Sequence, residues 1–326
     1  MIKKIVAVLK SLFLILMLCI VGKGYAQKEP QYTQYMYNIG SFNPAYVGTV
    51  EHMELAGLYR AQWVDIPGAP RTVRFGMNLP FANQKTGLGF NVVSDALGPT
   101  TQTYIDVAYS YQINVSDNTK LSFGIDAGGA MLDVDYTKGD FEEENEPLIL
   151  NSQFNKFYPT VGGGLFLYSD NWYLGASIPN FMTSIIDDEE VTPLVNDEVQ
   201  FNVIGGYVFD LSDNLKFKPA FLLHQMSGTP LKVDVSSNFL INDALVLGAA
   251  YRFNTSVSAL AGVQISNKMF LGYSYDYNTN GLGQYNSGSH EAILKFYLGT
   301  GEKSVTKTNE RKLKGKPKQI DTPRFF

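Results

Sequence analysis

Cysteine is nearly absent from this chain of 326 residues: there is one, Cys19. It lies in the apolar stretch Leu12 to Val21, behind Lys3, Lys4 and Lys10. That stretch is too short to cross a bilayer as a helix, and Gly24-Tyr25-Ala26 follows with the small-x-small spacing of a cleaved export signal. Residues 1-26 are therefore expected to be a signal peptide, leaving Gln27 as the mature N-terminus. Cys19 raises a lipoprotein reading, but Leu18 stands before it where a small residue is required. Cleavage leaves no cysteine, which excludes disulfide and thiol chemistry.

Long apolar runs are the second absence. After residue 26 none reaches the length of a transmembrane helix. Histidine is the third, limited to His52, His224 and His290. A Cys/His metal cluster has nothing to be built from, and no phosphate-binding glycine motif or nucleic-acid signature is present. His290 neighbours Ser287 and Ser289, and His224 precedes Gln225, but a catalytic triad is a geometry that such neighbours do not establish. No enzyme activity, cofactor, nucleic-acid partner or small-molecule substrate is expected.

What is abundant is aromatic and small: 20 Tyr, 21 Phe and 30 Gly. In an exported chain without apolar helices this composition points to strands. Strands cross lipid only as a closed barrel, because every backbone polar group there must be satisfied internally. From Met53 to Gly299, blocks of about ten residues alternate between apolar and polar positions. In Thr103 to Val115 one face carries Ile105, Val107, Tyr109, Tyr111 and Ile113; the other carries Asp106, Ser110, Gln112 and Asn114. Period two sends the first set to lipid and the second to the lumen.

Strands are expected at 53-62, 70-79, 86-94, 101-115, 120-135, 157-168, 171-179, 199-210, 214-224, 230-241, 244-253, 256-265, 268-277 and 289-299. Every second turn is short and built from Asp, Asn, Ser or Lys, as at Ser116-Asp117-Asn118, Ser212-Asp213-Asn214 and Asn242-Asp243. The intervening connections are mostly longer, as at 137-156, 181-198 and 278-289. The expected fold is thus all-β: a transmembrane antiparallel barrel of about 14 strands with short periplasmic turns and longer extracellular loops, in the outer membrane. A soluble sandwich or propeller shares the alternation but needs no apolar outer face on nearly every strand. Tyr and Phe near the strand ends would form interfacial girdles.

The inward positions carry Arg60, Arg74, Asp106, Asp126, Lys216, Lys218, Lys232, Asp234, Arg252, Asp276 and Lys295. They form either a structural network across the lumen or a lining that selects a solute. Two loops are acidic, Glu142-Glu143-Glu144-Asn145-Glu146 and Asp187-Asp188-Glu189-Glu190 with Asp197-Glu198; without EF-hand spacing they read as solvated loops rather than cation sites.

Charge divides the chain. Residues 27-299 hold 14 basic and 28 acidic residues, while 300-326 hold 8 basic and 3 acidic. The body at −14 and the tail at +5 have different neighbours. The layout is a signal at 1-26, an N-terminal periplasmic or plug segment at 27-52, a barrel at 53-299 and a basic periplasmic tail at 300-326.

Six strings occur in order: Gln31-Tyr32-Thr33-Gln34-Tyr35-Met36-Tyr37-Asn38, Asn43-Pro44-Ala45-Tyr46-Val47-Gly48, Tyr59-Arg60-Ala61-Gln62-Trp63, Gly68-Ala69-Pro70-Arg71-Thr72, Gly87-Leu88-Gly89 and Ser94-Asp95-Ala96-Leu97-Gly98. In these the chain resembles the PorP/SprF family of type IX secretion system outer-membrane proteins of Bacteroidota. The specific part is Tyr-Arg-x-Gln-Trp followed by Gly-Ala-Pro. The resemblance implies a non-enzymatic barrel that works with the secretion machinery. Its role would be to assist export or surface attachment of a large secreted partner, gliding adhesins among them. A diffusion channel or small-solute transporter is the alternative. Three sets of partner-contacting residues are expected. Tyr32, Tyr35 and Tyr37 lie in a segment too apolar to stay in water, folded at the periplasmic mouth or inside the barrel. Trp63 lies in the stiff first extracellular connection, facing the mouth, a partner or the membrane girdle. Lys312, Lys314 and Lys316 belong to a tail that would bind an acidic periplasmic component or cell-wall carboxylates.

Overall fold

Alternation of apolar and polar residues becomes a closed wall. In the computed structural model, residues 30–135, 153–182, 185–188, 191–196, 199–226 and 229–299 are described. The expected signal peptide, the acidic cluster at 142–146 and the tail with Lys312, Lys314 and Lys316 lie outside them. Tyr32 begins the compact unit that holds every strand; of the unit ending at Gln31, only Pro30 and Gln31 are described.

Seven strands pair antiparallel in chain order: β1 (Met53–Ala61), β2 (Arg71–Pro80), β3 (Thr86–Leu97), β4 (Thr100–Asn114), β5 (Lys120–Asp135), β6 (Gln153–Tyr168) and β7 (Trp172–Ile178). Next come β8 (Ile185–Asp188) and β9 (Val191–Asn196), a separate two-stranded hairpin within the connection that follows β7. The wall resumes with β10 (Gln200–Tyr207), β11 (Phe209–Ser212), β12 (Leu215–Met226), β13 (Lys232–Ile241), β14 (Leu245–Arg252), β15 (Ser256–Ser266), β16 (Met269–Asn278) and β17 (Ser289–Leu298). Both β10 and β11 pair with β12 and count as one stave, interrupted at Val208, whose N–H donates to the Asn171 carbonyl at 2.7 Å. Closure comes from β1 on β17, in register from Met53↔Leu298 to Ala61↔His290. The result is a closed antiparallel barrel of 14 strands in the outer membrane.

Beyond shifts of one or two residues, the strands differ from expectation in three places. β3 continues to Leu97, because Gly98 takes φ +56° and with Pro99 turns the chain at once into β4; Leu97 then pairs with Thr100. That extracellular connection is as tight as any periplasmic one. β6 begins at Gln153, paired with Asp135 at the end of β5. The connection 181–198, expected as one of the longer loops, contains the β8–β9 hairpin.

The periplasmic turns follow local chemistry. Asn242 and Asp243 have φ of +52° and +50°, and Ala244 N–H closes on the Ile241 carbonyl at 3.1 Å. A two-residue hairpin needs left-handed backbone at both positions to match the strand twist, and Asn and Asp tolerate it best after glycine.

The faces separate as the alternation requires. Outward positions on β4 and β16, such as Ile105, Val107, Tyr109, Leu271 and Tyr273, are exposed, while Ala108, Ser110, Phe270, Ser274 and Asp276 are buried. Aromatic rings gather on the outer face at both rims. Tyr207, Phe209, Phe217 and Phe239 form a ladder with centroids 4.4, 6.1 and 4.9 Å apart near the periplasmic turns. Tyr251 and Phe253 stand 5.0 Å apart at the opposite rim. These positions suit the membrane–water interface.

Candidate functional site

The lumen is where polar and charged residues concentrate, and the chain itself occupies it. Three short 3-10 turns, Tyr35–Tyr37, Ile39–Ser41 and Pro44–Tyr46, carry residues 32–49 along the inner wall. Tyr35, Met36, Ile39 and Ala45 have no more than 1% of their surface exposed, and Tyr32, Phe42, Tyr46 and Val47 are also buried. Each large apolar side chain so buried contributes about 1.5–3 kcal/mol, which offsets the cost of ordering the backbone. Asn43 caps the third turn by accepting the Ala45 N–H at 2.9 Å.

The segment's two ends sit at opposite rims. At the extracellular side, Arg60 is the hub: its guanidinium lies 2.7 Å from Asp276 and 3.0 Å from Glu291. Thr33 joins both, donating its N–H to Glu291 at 2.9 Å and its hydroxyl to Asp276 at 2.7 Å. It also accepts from Arg60 at 3.0 Å. The Gln34 N–H donates to the other Glu291 oxygen at 2.8 Å. At the periplasmic side, Gly48 accepts from Gln112 at 3.3 Å and packs on Gly87 at the start of β3. Between the rims, Tyr35 donates to the Ala220 carbonyl at 2.9 Å, and Asn43 donates to the Leu165 carbonyl at 2.9 Å. Burial raises the Tyr35 and Tyr37 phenols above their ordinary range, so both stay protonated.

Glycines in the wall make the fit possible. A Cβ at Gly124 would collide with the Ala45 backbone, one at Gly164 with the Asn43 amide, and one at Gly272 with the Gln34 amide. At these positions the barrel lacks side chains so that the segment can lie against bare backbone.

Further ion pairs complete the lining. Arg252 meets Asp234 at 2.6 Å, and Lys295 meets Glu54 at 2.7 Å. Lys218, fully buried, lies 3.5 Å from the Met36 carbonyl and stands over the rings of Tyr37 and Tyr173 at 5.4 and 5.6 Å. Lys216 instead reaches Asp243 at 3.1 Å at the half-exposed periplasmic rim. Of the expected luminal charges, five thus take part in buried pairs: Arg60, Asp276, Arg252, Asp234 and Lys295. The two carboxylates omitted from that set are central. Glu54 shares its parity with Arg60, and Glu291 with Lys295, so the alternation itself marks them as inward. Two pairs, Arg60–Glu291 and Lys295–Glu54, link β1 to β17 directly.

The expected partner-contacting residues fall in different places. Tyr32 and Tyr35 are buried against the lumen wall, and the Tyr37 ring packs 5.0 Å from Phe270. Trp63 is half-buried at the extracellular rim, with φ +47° and its N–H on the Ser289 hydroxyl at 3.1 Å. The structure does not bring it together with the tyrosines. Among the histidines, His290 Nδ1 meets the Tyr273 hydroxyl at 2.6 Å rather than either neighbouring serine.

Solved outer-membrane barrels are similar in fold at low sequence identity. Omp33 of Acinetobacter baumannii is 10% identical, covers 77% of this chain and 100% of its own, and gives a TM-score of 0.44. CymD, a monoaromatic hydrocarbon channel, is 12% identical over 84% of this chain and 95% of its own, with a TM-score of 0.44. A FadL homologue of Pseudomonas aeruginosa is 10% identical over 82% and 95%, with a TM-score of 0.43. No protein with a curated description matches the chain. The family model "Type IX secretion system membrane protein PorP/SprF" matches residues 24–296.

Proposed function

The chain belongs to the PorP/SprF family of type IX secretion system membrane proteins, and on that premise we propose that it is a non-enzymatic partner-holding component of the machinery. It assists export or surface attachment of a large secreted protein, such as an adhesin, at the outer membrane. One observation carries this reading: the lumen is filled by the chain's own residues 32–49, fitted to the wall by buried ion pairs and wall glycines. A barrel so filled offers surfaces rather than a path for solute. Its extracellular loops are the side open to a secreted partner, with Trp63 on the first of them.

Tyr32, Tyr35 and Tyr37 meet such a partner only when the segment leaves the lumen; in place they hold the barrel shut. The basic tail, with Lys312, Lys314 and Lys316, supplies the periplasmic contact, drawn to an acidic component of the machinery or to cell-wall carboxylates. Contacts between exposed charges weaken as salt shortens the Debye length to below about 8 Å.

Two measurements test the reading. Planar-bilayer recordings of the full-length protein should give no steady conductance, and pull-downs from detergent extracts should recover a secreted surface protein. Truncation after Gly299 should reduce recovery of periplasmic partners at low salt. A stable open channel together with no recovered secreted protein would favour the solute-channel alternative.

A further inference from the structure

Three stretches distant in sequence meet on the extracellular rim. Ala61 ends β1 and Trp63 follows it, Gly68 leads into β2, which Arg71 begins, and Ala96 near the end of β3 precedes Gly98 in the turn to β4; together they line a cleft of about 520 Å³. The loop that walls it is held rigidly. Val64 N–H donates to the Gly288 carbonyl and Ser287 N–H to the Val64 carbonyl, each at 2.9 Å, and Gly98 N–H donates to the Gly68 carbonyl at 2.8 Å. Four residues on or beside the cleft take left-handed backbone: Trp63 at φ +47°, Asp65 at +79°, Gly68 at +71° and Gly98 at +56°. Such conformations cost on the order of 1 kcal/mol or more at non-glycine residues and persist only where the surroundings impose them. The cleft is therefore shaped in advance of any ligand.

Its position is set by register. Ala61, Arg71 and Ala96 lie side by side on the outward face at the rim. One row down are Tyr59 and Val73, and below them Gly57 and Phe75, all outward. Tyr59, Val73 and Phe75 are exposed to lipid at 49%, 54% and 45%. A Cβ at Gly57 would meet nothing within 4 Å, which leaves a notch in this apolar wall beneath the cleft. The cleft thus stands at headgroup level, above a grooved acyl-chain surface.

Its donors are those of an anion site. The Arg71 side chain is exposed and makes no ion pair among the described residues. The backbone N–H groups of Asp65 and Gly68, both on the lining, donate to no atom of the described residues. The one carboxylate present, Asp65, is engaged by the Ser287 hydroxyl. Guanidinium and backbone N–H together suit phosphate oxygens.

We propose that this cleft binds the phosphate of an outer-leaflet lipid, with an acyl chain lying down the notch at Gly57. The same phosphate chemistry exists free in solution, and the wall below the cleft separates the two sources. Native mass spectrometry of the full-length protein in neutral detergent provides the test, with dioleoyl phosphatidic acid, dioleoyl phosphatidylcholine and inorganic phosphate as probes. Phosphatidic acid should fill one saturable site and bind at least about tenfold tighter than phosphatidylcholine. Arg71→Gln should lose roughly tenfold or more, the worth of one charge-assisted hydrogen-bond pair. Gly57→Leu should weaken the lipid and leave inorganic phosphate unchanged. Ala61→Trp, which fills the cleft without altering its charge, should lose the lipid as well. Heat-dependent gel mobility reports that each variant remains a folded barrel, so the three variants do not all depend on one substitution being tolerated. Unchanged lipid affinity in Arg71→Gln or in Ala61→Trp overturns the proposal. Inorganic phosphate binding as tightly as the lipid overturns the assignment to a membrane source.

Discussion

Replacing Arg60 by methionine removes the hub of the extracellular-side network while keeping most of its volume. The guanidinium is 2% exposed, and the carboxylates it neutralises, Asp276 and Glu291, are 2% and 0% exposed. After the change both carboxylates remain in the lumen without the guanidinium, with Thr33, the Gln34 N–H and, at Asp276, the Ser258 hydroxyl still donating to them. Stranding one partner of a buried pair typically costs about 3–5 kcal/mol. Thr33→Val removes one hydroxyl that serves both sides, and should cost about 1–3 kcal/mol. Lys216→Met breaks a pair whose side chains are 30% and 21% exposed, and should cost less than about 1 kcal/mol. The order Arg60→Met, then Thr33→Val, then Lys216→Met is the content of the prediction. Guanidinium titration of the detergent-folded protein, followed by fluorescence of Trp63 and Trp172 in both directions, measures it. An Arg60→Met protein no less stable than Lys216→Met would mean that the buried network holds nothing together.

Three further outcomes are expected. Gly124→Leu should leave the barrel folded but displace the luminal segment, seen as new ion conductance in planar bilayers, because its Cβ enters the Ala45 backbone. Asn242→Val should lower the unfolding free energy by about 1–3 kcal/mol, since a β-branched residue at φ +52° is strained; Asn242→Gly should be near neutral. The raised Tyr35 and Tyr37 phenols carry a pH signature. Their folded-state values exceed the unfolded one of about 10. Their contribution is therefore constant below that pH and is lost as pH climbs above it, a loss that the Tyr35→Phe/Tyr37→Phe double variant should reduce in alkaline unfolding experiments.

Strand number, strand faces and the sidedness of the turns were legible in the sequence because each depends on residues within one or two strands. Period-two alternation placed Ile105 outward and Asp106 inward without reference to any distant neighbour. Asn242-Asp243 announced a hairpin through its own backbone preferences. The ends of strands were less legible. β3 outlasts Ser94 because Gly98 permits an immediate reversal, and whether Asp95, Ala96 and Leu97 pair depends on Thr100, Thr101 and Gln102 arriving opposite them. The luminal site was partly legible. The string from Gln31 to Asn38 was too aromatic for water, but the carboxylate partners of Thr33 lie more than two hundred positions away on β16 and β17. No local pattern encodes that meeting. Glu54 and Glu291 had the right parity, yet what matters about them is the residue each faces across the β1–β17 pairing.

That pairing has a consequence for how the molecule is assembled. The first and last strands to be synthesised form the seam that closes the cylinder, and an ion pair clamps it near each end: Lys295 with Glu54 at one rim, Glu291 with Arg60 at the other. The upper clamp also takes hydrogen bonds from Thr33 and Gln34. The chain between Thr49 and Met53 is too short to let the segment wander once β1 is placed. A cylinder sealed first would have to be threaded afterwards by a strand of bulky rings. Docking of the N-terminal stretch and sealing of the seam are better served as one event, in which Glu291 completes its set of donors only when both the last strand and the segment have arrived. The filled interior then doubles as a checkpoint on synthesis: a chain missing its C-terminal strand can neither seal the wall nor hold its own beginning in place.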